Sequence, residues 1–128
     1  MSEYSSCLLQ GYGVLAGPPA RVKAPLVASH FAIIEWNPPK ILPDTVTGYR
    51  VFIKKLGADD EYEFIEKSQP PVILESLDAA SYYEAYVEAL NTHGKSEASP
   101  RLIFRTKNEV WKNKLISFFL NLIIMHFV

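Results

Sequence analysis

The sequence predicts an all-β sandwich of seven strands, and three features support this prediction. Short apolar runs recur along residues 18–107 with Pro, Gly, Asn or Asp between them, which is the spacing of strands joined by turns. Within residues 82–90, Tyr, Ala and Val at odd positions alternate with Tyr, Glu and Leu at even positions, a period of two. No stretch of residues 18–107 sustains a helical period of apolar side chains.

The predicted strands follow the apolar runs in chain order. Pro25 interrupts the first of them, and because proline cannot donate a ladder hydrogen bond, that strand is expected at a sheet edge. The segments between the runs hold the turn-forming residues, as in "NPPK" after the second run and Gly57 after the third. The strands are expected at residues 20–29, 31–36, 47–56, 61–67, 71–77, 81–90 and 101–106.

Alternation within three of these strands predicts which side chains face inward. Two sheets packed about 10 Å apart would interdigitate the inward side chains into one core. Trp36 is the largest of them, and its truncation to alanine is expected to cost about 3–5 kcal/mol. The predicted inner set is Ala32, Ile34 and Trp36, then Tyr49, Val51 and Ile53, then Tyr83, Ala85, Val87 and Ala89.

Composition argues against several classes of function. The net charge of −1 and the scattered basic residues provide no basic face for nucleic acid. The single cysteine, Cys7, has no partner for an internal disulfide, and His30, His93 and His126 lack metal-ligand spacing. No nucleophile elbow or complete phosphate-binding loop is present. We therefore expect a non-enzyme that has neither cofactor nor metal and does not bind nucleic acid.

The two ends of the chain differ in composition from residues 18–107. Residues 1–17 lack the charged and apolar regions of a secretory signal, and are expected to be an N-terminal segment or the end of a preceding module. Residues 108–128 contain no Gly, Pro, Ala or Asp, and their apolar part, 115–128, is shorter than the roughly 20 residues of a membrane-spanning helix. Residues 108–128 are built mainly from Asn, Lys, Ile, Leu and Phe, residue types that are encoded by A/T-rich codons, which favours translated non-coding sequence. A membrane anchor and a packing helix are the alternatives.

Several motifs together resemble the fibronectin type III family across about residues 18–107. They are Trp36-Asn-Pro-Pro, Tyr49-Arg-Val51, Leu77 six residues before Tyr83, and Tyr83-x-x-x-Val87-x-Ala89-x-Asn91-x-x-Gly94-x-Ser96. The resemblance implies an immunoglobulin-like seven-stranded sandwich whose core signature is Trp36, Tyr49, Val51, Leu77, Tyr83 and Val87. It also implies that the Tyr83 hydroxyl bonds to backbone near residues 77–80, and that Asn91 and Gly94 form a hairpin turn with left-handed backbone.

The resemblance implies a non-catalytic module for protein–protein interaction or adhesion, one unit of a larger extracellular or cell-surface protein. Its expected partner is another protein, with membrane contact only through the C-terminal tail. An intracellular scaffold or muscle-type module is one alternative. An accessory domain of a larger enzyme is another, and it requires a catalytic neighbour.

Outward positions on the third and sixth strands suggest where a partner would bind. Their expected cross-strand pairs are Arg50 with Glu88, Phe52 with Tyr86 and Lys54 with Glu84. One interpretation is that these pairs only stabilise the sheet. The other is that they form a partner-binding face, because aromatic anchors surrounded by polar groups are typical of protein interfaces. A register slip of one residue would instead bury both glutamates. Secondary contacts are expected from two loops, at Ile41 and Leu42 and at His93 and Lys95.

Overall fold

The computed structural model describes residues 14–57, 62–67, 69–109 and the single residue 122. Cys7 and the rest of residues 1–13 lie outside the described residues. The expectations for the hydrophobic tail, as a membrane contact or a packing helix, also concern residues that are not described, apart from residue 122.

The described part of the chain forms eight strands and one short 3-10 helix, Pro43–Thr45. All seven predicted strands are present, with bounds that differ from the predicted ones by at most three residues. The sequence did not predict the two-residue strand that follows the turn after residue 91. The strands are β1 Ala20–Val27, β2 Ala32–Asn37, β3 Gly48–Lys55, β4 Glu63–Lys67, β5 Val72–Leu74, β6 Tyr82–Asn91, β7 Gly94–Lys95 and β8 Leu102–Arg105.

The strands form two antiparallel sheets, and the sandwich prediction is confirmed. One sheet has the order β1-β2-β5, and the other has the order β4-β3-β6-β7, with β8 also paired to β6. Among the described strands, the one interrupted by Pro25 pairs with β2 alone, so it lies at a sheet edge as predicted. Two register shifts flank Lys23 within that pair, which shows that the edge ladder is irregular.

The ladder between β3 and β6 runs from Gly48 to Lys55 without a shift. It places Arg50 opposite Glu88, Phe52 opposite Tyr86 and Lys54 opposite Glu84, so the predicted register is confirmed. Because side chains alternate along a strand, the same register directs the residues between these pairs into the core.

The core lies between the two sheets and contains every side chain that alternation predicted to face inward. Trp36 is 4% exposed, and its ring meets the ring of Tyr49 edge-on at a centroid distance of 5.3 Å. Burial raises the pKa of the Tyr49 hydroxyl. Further buried apolar residues come from the other elements: Ala16, Val72, Leu74, Leu77 and Phe104.

The loop between β5 and β6 contains the expected tyrosine corner. The hydroxyl of Tyr83 accepts a hydrogen bond from the backbone N–H of Asp78 at 2.7 Å, and Leu77 is buried beside it. The turn between β6 and β7 differs from expectation. Gly94 has φ +137°, but Asn91 is not among the described residues of positive φ. Asn91 instead accepts the N–H of His93 through its side-chain oxygen, so the side chain shapes this turn.

Candidate protein-binding face

The outer face of the five-stranded sheet carries a stack of a cation and two aromatic rings, which we call the aromatic stack (Arg101, Tyr86 and Phe52). The rings of Phe52 and Tyr86 are nearly parallel, with centroids 4.6 Å apart and planes 9° apart. The guanidinium of Arg101, the residue immediately before β8, lies 3.6 Å from the centre of the Tyr86 ring. Phe52 and Tyr86 are only partly buried and Arg101 is exposed, so the stack is accessible to solvent.

Tyr62 adds a second layer beside this stack. Its ring meets Tyr86 edge-on at a centroid distance of 5.1 Å, and its hydroxyl donates a hydrogen bond to the Glu84 carboxylate. The pKa of the Tyr62 hydroxyl is raised mainly by that hydrogen bond and to a smaller extent by desolvation. Tyr62 therefore stays a neutral donor at physiological pH. The charged groups of Lys54 and Arg101 each lie 5.6 Å from the centre of the Tyr62 ring.

Glu88 departs from the expectation of a solvent-exposed outward residue. It lies on the outer face in the predicted register, yet it is only 5% exposed. The reason is its position between the long side chains of Arg50, opposite it on β3, and Lys95 of β7, whose Nζ is 3.8 Å from Oε1. Its other oxygen, Oε2, has no hydrogen-bond partner among the described residues, which makes its burial costly.

Two of the other charged side chains on this face, Arg50 and Glu84, are held by hydrogen bonds. Arg50 donates a hydrogen bond of 2.6 Å to Glu66 on β4, and Glu84 is occupied by Tyr62 as described. Lys54, which faces Glu84 across the ladder, is partly buried. The aromatic stack is therefore surrounded by charged groups, and their orientation is constrained by these contacts.

The four predicted loop contacts lie at one end of the domain: Ile41, Leu42, His93 and Lys95. Residues 14–17 bridge the two loops that carry these contacts. The N–H of Gly17 donates to the carbonyl of Ile41 at 3.0 Å, and Leu15 packs close to Gly94. Ile41 is 60% exposed, whereas Leu42 is half-buried with φ +54°. His93 and Lys95 are exposed on the neighbouring hairpin.

Sequence reasoning missed two sets of surface residues. The first is Tyr62 and Arg101, and the period of two in the last strand would have placed Arg101 on the outer face. The second is an aliphatic row on the outer face of the three-stranded sheet, where Leu26, Ile33 and Ile73 are cross-strand partners. Leu26 and Ile73 are 46% and 55% exposed. Because Ala32 and Ile34 face inward on β2, alternation predicts that Ile33 between them faces outward.

In the part of the chain that the structure describes, no three His, Cys, Asp or Glu side chains are grouped so that they could hold a metal ion. No helix within the described ranges is long and apolar enough to cross a membrane.

Comparisons with known proteins point to one family. The model of the fibronectin type III domain matches residues 17–105. The cell adhesion molecule Dscam2 of Drosophila melanogaster is 32% identical over 97 residues, which cover 70% of this chain and 5% of that protein. This chain therefore spans about one twentieth of the length of that relative.

Solved structures share the fold. The third fibronectin III domain of the human KIAA0343 protein is 24% identical with a TM-score of 0.67, covering 77% of this chain and 88% of that chain. The chicken CNTN1 FN1–FN3 domains are 20% identical with a TM-score of 0.65, covering 73% and 31%. The twitchin kinase region from C. elegans is 20% identical with a TM-score of 0.66, covering 73% and 17%.

Proposed function

This chain belongs to the fibronectin type III family, and from that premise we propose that it is a non-catalytic module that binds another protein in cell adhesion, at the cell surface. The relative Dscam2, described as a cell adhesion molecule, supports the adhesive role. We propose residues 18–107 as the domain, with 1–17 before it and 108–128 after it. The family match to residues 17–105 supports those bounds.

The observation that carries this proposal is the aromatic stack on a sheet face that also presents charged side chains. Aromatic and arginine side chains provide most of the binding energy at protein interfaces, and a polar rim completes such interfaces. Stacking holds Phe52, Tyr86 and Arg101 in one orientation before a partner arrives, so little rotamer entropy is lost on binding. We propose that the partner contacts this stack.

The other predicted residues take supporting roles in this proposal. Lys54 and Arg50 form the polar rim, and Glu84 orients Tyr62. Glu88 is buried, so it supports Lys95 and does not contact the partner directly. The four loop residues are a second contact area at the end of the domain: Ile41, Leu42, His93 and Lys95.

A stack of this kind also stabilises the sheet, so the test must separate binding from stability. Two lysines provide a matched pair, because each faces a glutamate across a ladder. Lys54 faces Glu84 on the proposed face, and Lys23 faces Glu35 on the other sheet. Changing either to glutamate creates a like-charge cross-strand pair, which is expected to cost roughly 0.2–1 kcal/mol in both variants.

The experiment measures how strongly beads coated with the domain adhere to each other and to cells of the source organism. We expect wild-type beads to adhere, Lys54→Glu to change adhesion at least fivefold, and Lys23→Glu to leave it unchanged. Thermal unfolding of both variants checks that their stabilities match. Equal effects of the two substitutions would refute the assignment to this face, and wild-type beads that never adhere would refute the adhesive function.

A further inference from the structure

The guanidinium of Arg101 is held against two aromatic rings on the outer face of the five-stranded sheet. It lies 3.6 Å from the centre of the Tyr86 ring and 5.6 Å from the centre of the Tyr62 ring. These two rings meet edge-on, so the guanidinium contacts a surface formed by both of them. Stacking of this kind orients the planar group before a ligand arrives.

The hydrogen-bond donors of this guanidinium are unused within the described ranges. A guanidinium has five N–H donors in a planar fork and no acceptor. No hydrogen bond or ion pair among the described residues involves the side chain of Arg101. Arg105 differs, because its guanidinium donates to the side chain of Asn108 at 3.2 Å. Arg101 is also exposed, so its donors are accessible to a partner.

Lys54 places a second cation beside the same aromatic rings. Its ammonium lies 5.6 Å from the centre of the Tyr62 ring. Glu84 faces Lys54 across the ladder, but the Glu84 carboxylate accepts the hydroxyl of Tyr62. None of the ion pairs in the described part of the chain includes Lys54. Two cations therefore lie beside one ring, and neither forms an ion pair with a described carboxylate.

Two other cations of this sheet face are paired. Arg50 donates to Glu66 at 2.6 Å, and the ammonium of Lys95 lies 3.8 Å from the Glu88 carboxylate. A partner that bound either of them would have to compete with a carboxylate that is already present. Arg101 and Lys54 require no such exchange, so they are the better receptors for a negative charge.

On the premise of the proposed protein-binding function, we propose that the partner presents an acidic segment to this face. Arg101 binds one Asp or Glu carboxylate of that segment through two parallel N–H···O bonds, because the guanidinium fork matches the geometry of a carboxylate. Lys54 attracts a second carboxylate as a point charge. Apolar groups of the segment pack on the rings of Phe52 and Tyr86.

The arrangement of charge favours a protein segment over a polyanionic chain such as a sulfated glycan. Glu66 and Glu88 lie opposite Arg50 on its two neighbouring strands, and Glu84 lies opposite Lys54. A ligand with a negative charge on every unit would meet these carboxylates as well as the cations, and like charges brought together weaken binding. A protein segment can place carboxylates at Arg101 and Lys54 and uncharged side chains elsewhere.

The test is an NMR titration of the full chain with two synthetic peptides. The acidic peptide has four glutamates around one phenylalanine, and the control peptide has glutamine at those four positions. We expect the acidic peptide to shift the Nε–H signal of Arg101 and the side-chain signals of Lys54, and to bind about tenfold more tightly than the control peptide. Added salt should weaken this binding, because it screens exposed charges.

Three variants locate the binding on the face. Arg101→Gln should weaken binding of the acidic peptide by about fivefold or more, since it removes the charge and the fork. Arg101→Lys keeps the charge without the fork and should weaken binding by about threefold. The matched control Arg21→Gln removes the same charge from an exposed position on β1, in the other sheet, and should leave the affinity nearly unchanged. Thermal unfolding checks that each variant is folded.

Four outcomes would overturn the inference. Equal affinity for the two peptides would exclude an acidic partner, and wild-type affinity in Arg101→Gln would exclude Arg101 as the receptor. Wild-type affinity in Arg101→Lys would exclude the two-bond geometry. A heparin oligosaccharide that binds through Arg101 more tightly than the acidic peptide would show that the face selects sulfate groups.

Bead adhesion separates this inference from the proposed function. We expect the acidic peptide to inhibit adhesion of wild-type beads, and the glutamine peptide to leave it unchanged. Beads whose adhesion depends on Lys54, but which the acidic peptide neither binds nor inhibits, would support the adhesive function and refute the acidic partner. If wild-type beads never adhere, the adhesive function fails, and the peptide titration still decides whether Arg101 is a carboxylate receptor.

Discussion

The two ends of the sandwich are held by different kinds of interaction. At the N-terminal end, residues 14–17 lie between two loops and are held by an aliphatic contact, the backbone bond from Gly17 to Ile41, and the Asn91 amide, which donates to the carbonyl of Val14 at 3.2 Å. At the C-terminal end, buried polar atoms of Thr106 and Tyr83 satisfy the backbone of the loop between β5 and β6.

This difference determines which substitutions each end tolerates. A buried hydrogen-bond network is sensitive to the loss of a single polar atom, because the partner left behind has no water to replace it. A contact between a glycine turn and an aliphatic side chain is sensitive to added volume and to backbone shape. The C-terminal end should therefore respond most to removal of hydroxyl groups, and the N-terminal end to an added Cβ.

The largest effect is expected from Thr106→Val at the C-terminal end. Thr106 is fully buried, and its hydroxyl donates to the carbonyl of Asp78 at 2.6 Å and accepts the N–H of Ser81 at 2.9 Å. Valine keeps the shape and leaves both groups without a partner, so the free energy of unfolding should fall by about 3 kcal/mol. Urea denaturation measures this. Thr45→Val, whose exposed hydroxyl bonds to Leu42, is the matched control and should cost about 0.5 kcal/mol or less.

Tyr83→Phe should have the next largest effect. It removes the hydroxyl that accepts the N–H of Asp78 but keeps the ring stacked on Phe104, with centroids 5.8 Å apart. The unpaired N–H should lower the free energy of unfolding by about 2 kcal/mol. Tyr82→Phe, at an adjacent residue that is 55% exposed, should be nearly neutral. Equal losses in the two variants would mean that the tyrosine corner does not stabilise this end.

Much of the fold could be predicted from the sequence because burial of one sheet face imposes a period of two. That period placed the strands, the inner faces and the register of Phe52 with Tyr86, since a one-residue slip would have exposed the core. The tyrosine corner followed from the resemblance to a known family. The strand β7 was missed because two residues are too few to show any period.

The candidate site was less predictable, because it depends on side chains that meet only in three dimensions. Glu88 has the sequence pattern of an exposed residue, and its burial results from the neighbouring Arg50 and Lys95. Tyr62 was included in the predicted strand 61–67, but in the structure it precedes β4, and its contacts with Tyr86 and Glu84 depend on the packing of neighbouring strands.

Gly94→Ala tests the N-terminal end and should cost about 1 kcal/mol or slightly more. Gly94 has φ +137°, a conformation that is strained for alanine, and the new Cβ would lie 3.3 Å from Cδ2 of Leu15. Gly57→Ala is the matched control, because Gly57 also has a positive φ, +84°, but no atom within 4 Å of a new Cβ. The excess cost of Gly94→Ala, measured by thermal unfolding, should disappear in a Leu15→Ala background. If it persists there, the excess cost comes from the backbone conformation of Gly94 and not from the contact with Leu15.

The smallest effect is expected from Asp78→Asn at the C-terminal end, and it should depend on pH. The hydrogen bond from Lys55, then the charge of Lys55, lower the pKa of the Asp78 carboxyl below its ordinary value. Because the folded-state pKa is the depressed one, this contribution to stability is present above about pH 4 and is lost as the pH falls through the folded-state value. The wild type should therefore be more stable than Asp78→Asn at pH 7, and the difference should narrow as the pH falls below about 4. Urea midpoints at pH 7, 5 and 3 measure this, and in a Lys55→Met background the difference at pH 7 should shrink. A difference that stays constant with pH would show that the Asp78 charge does not stabilise this end.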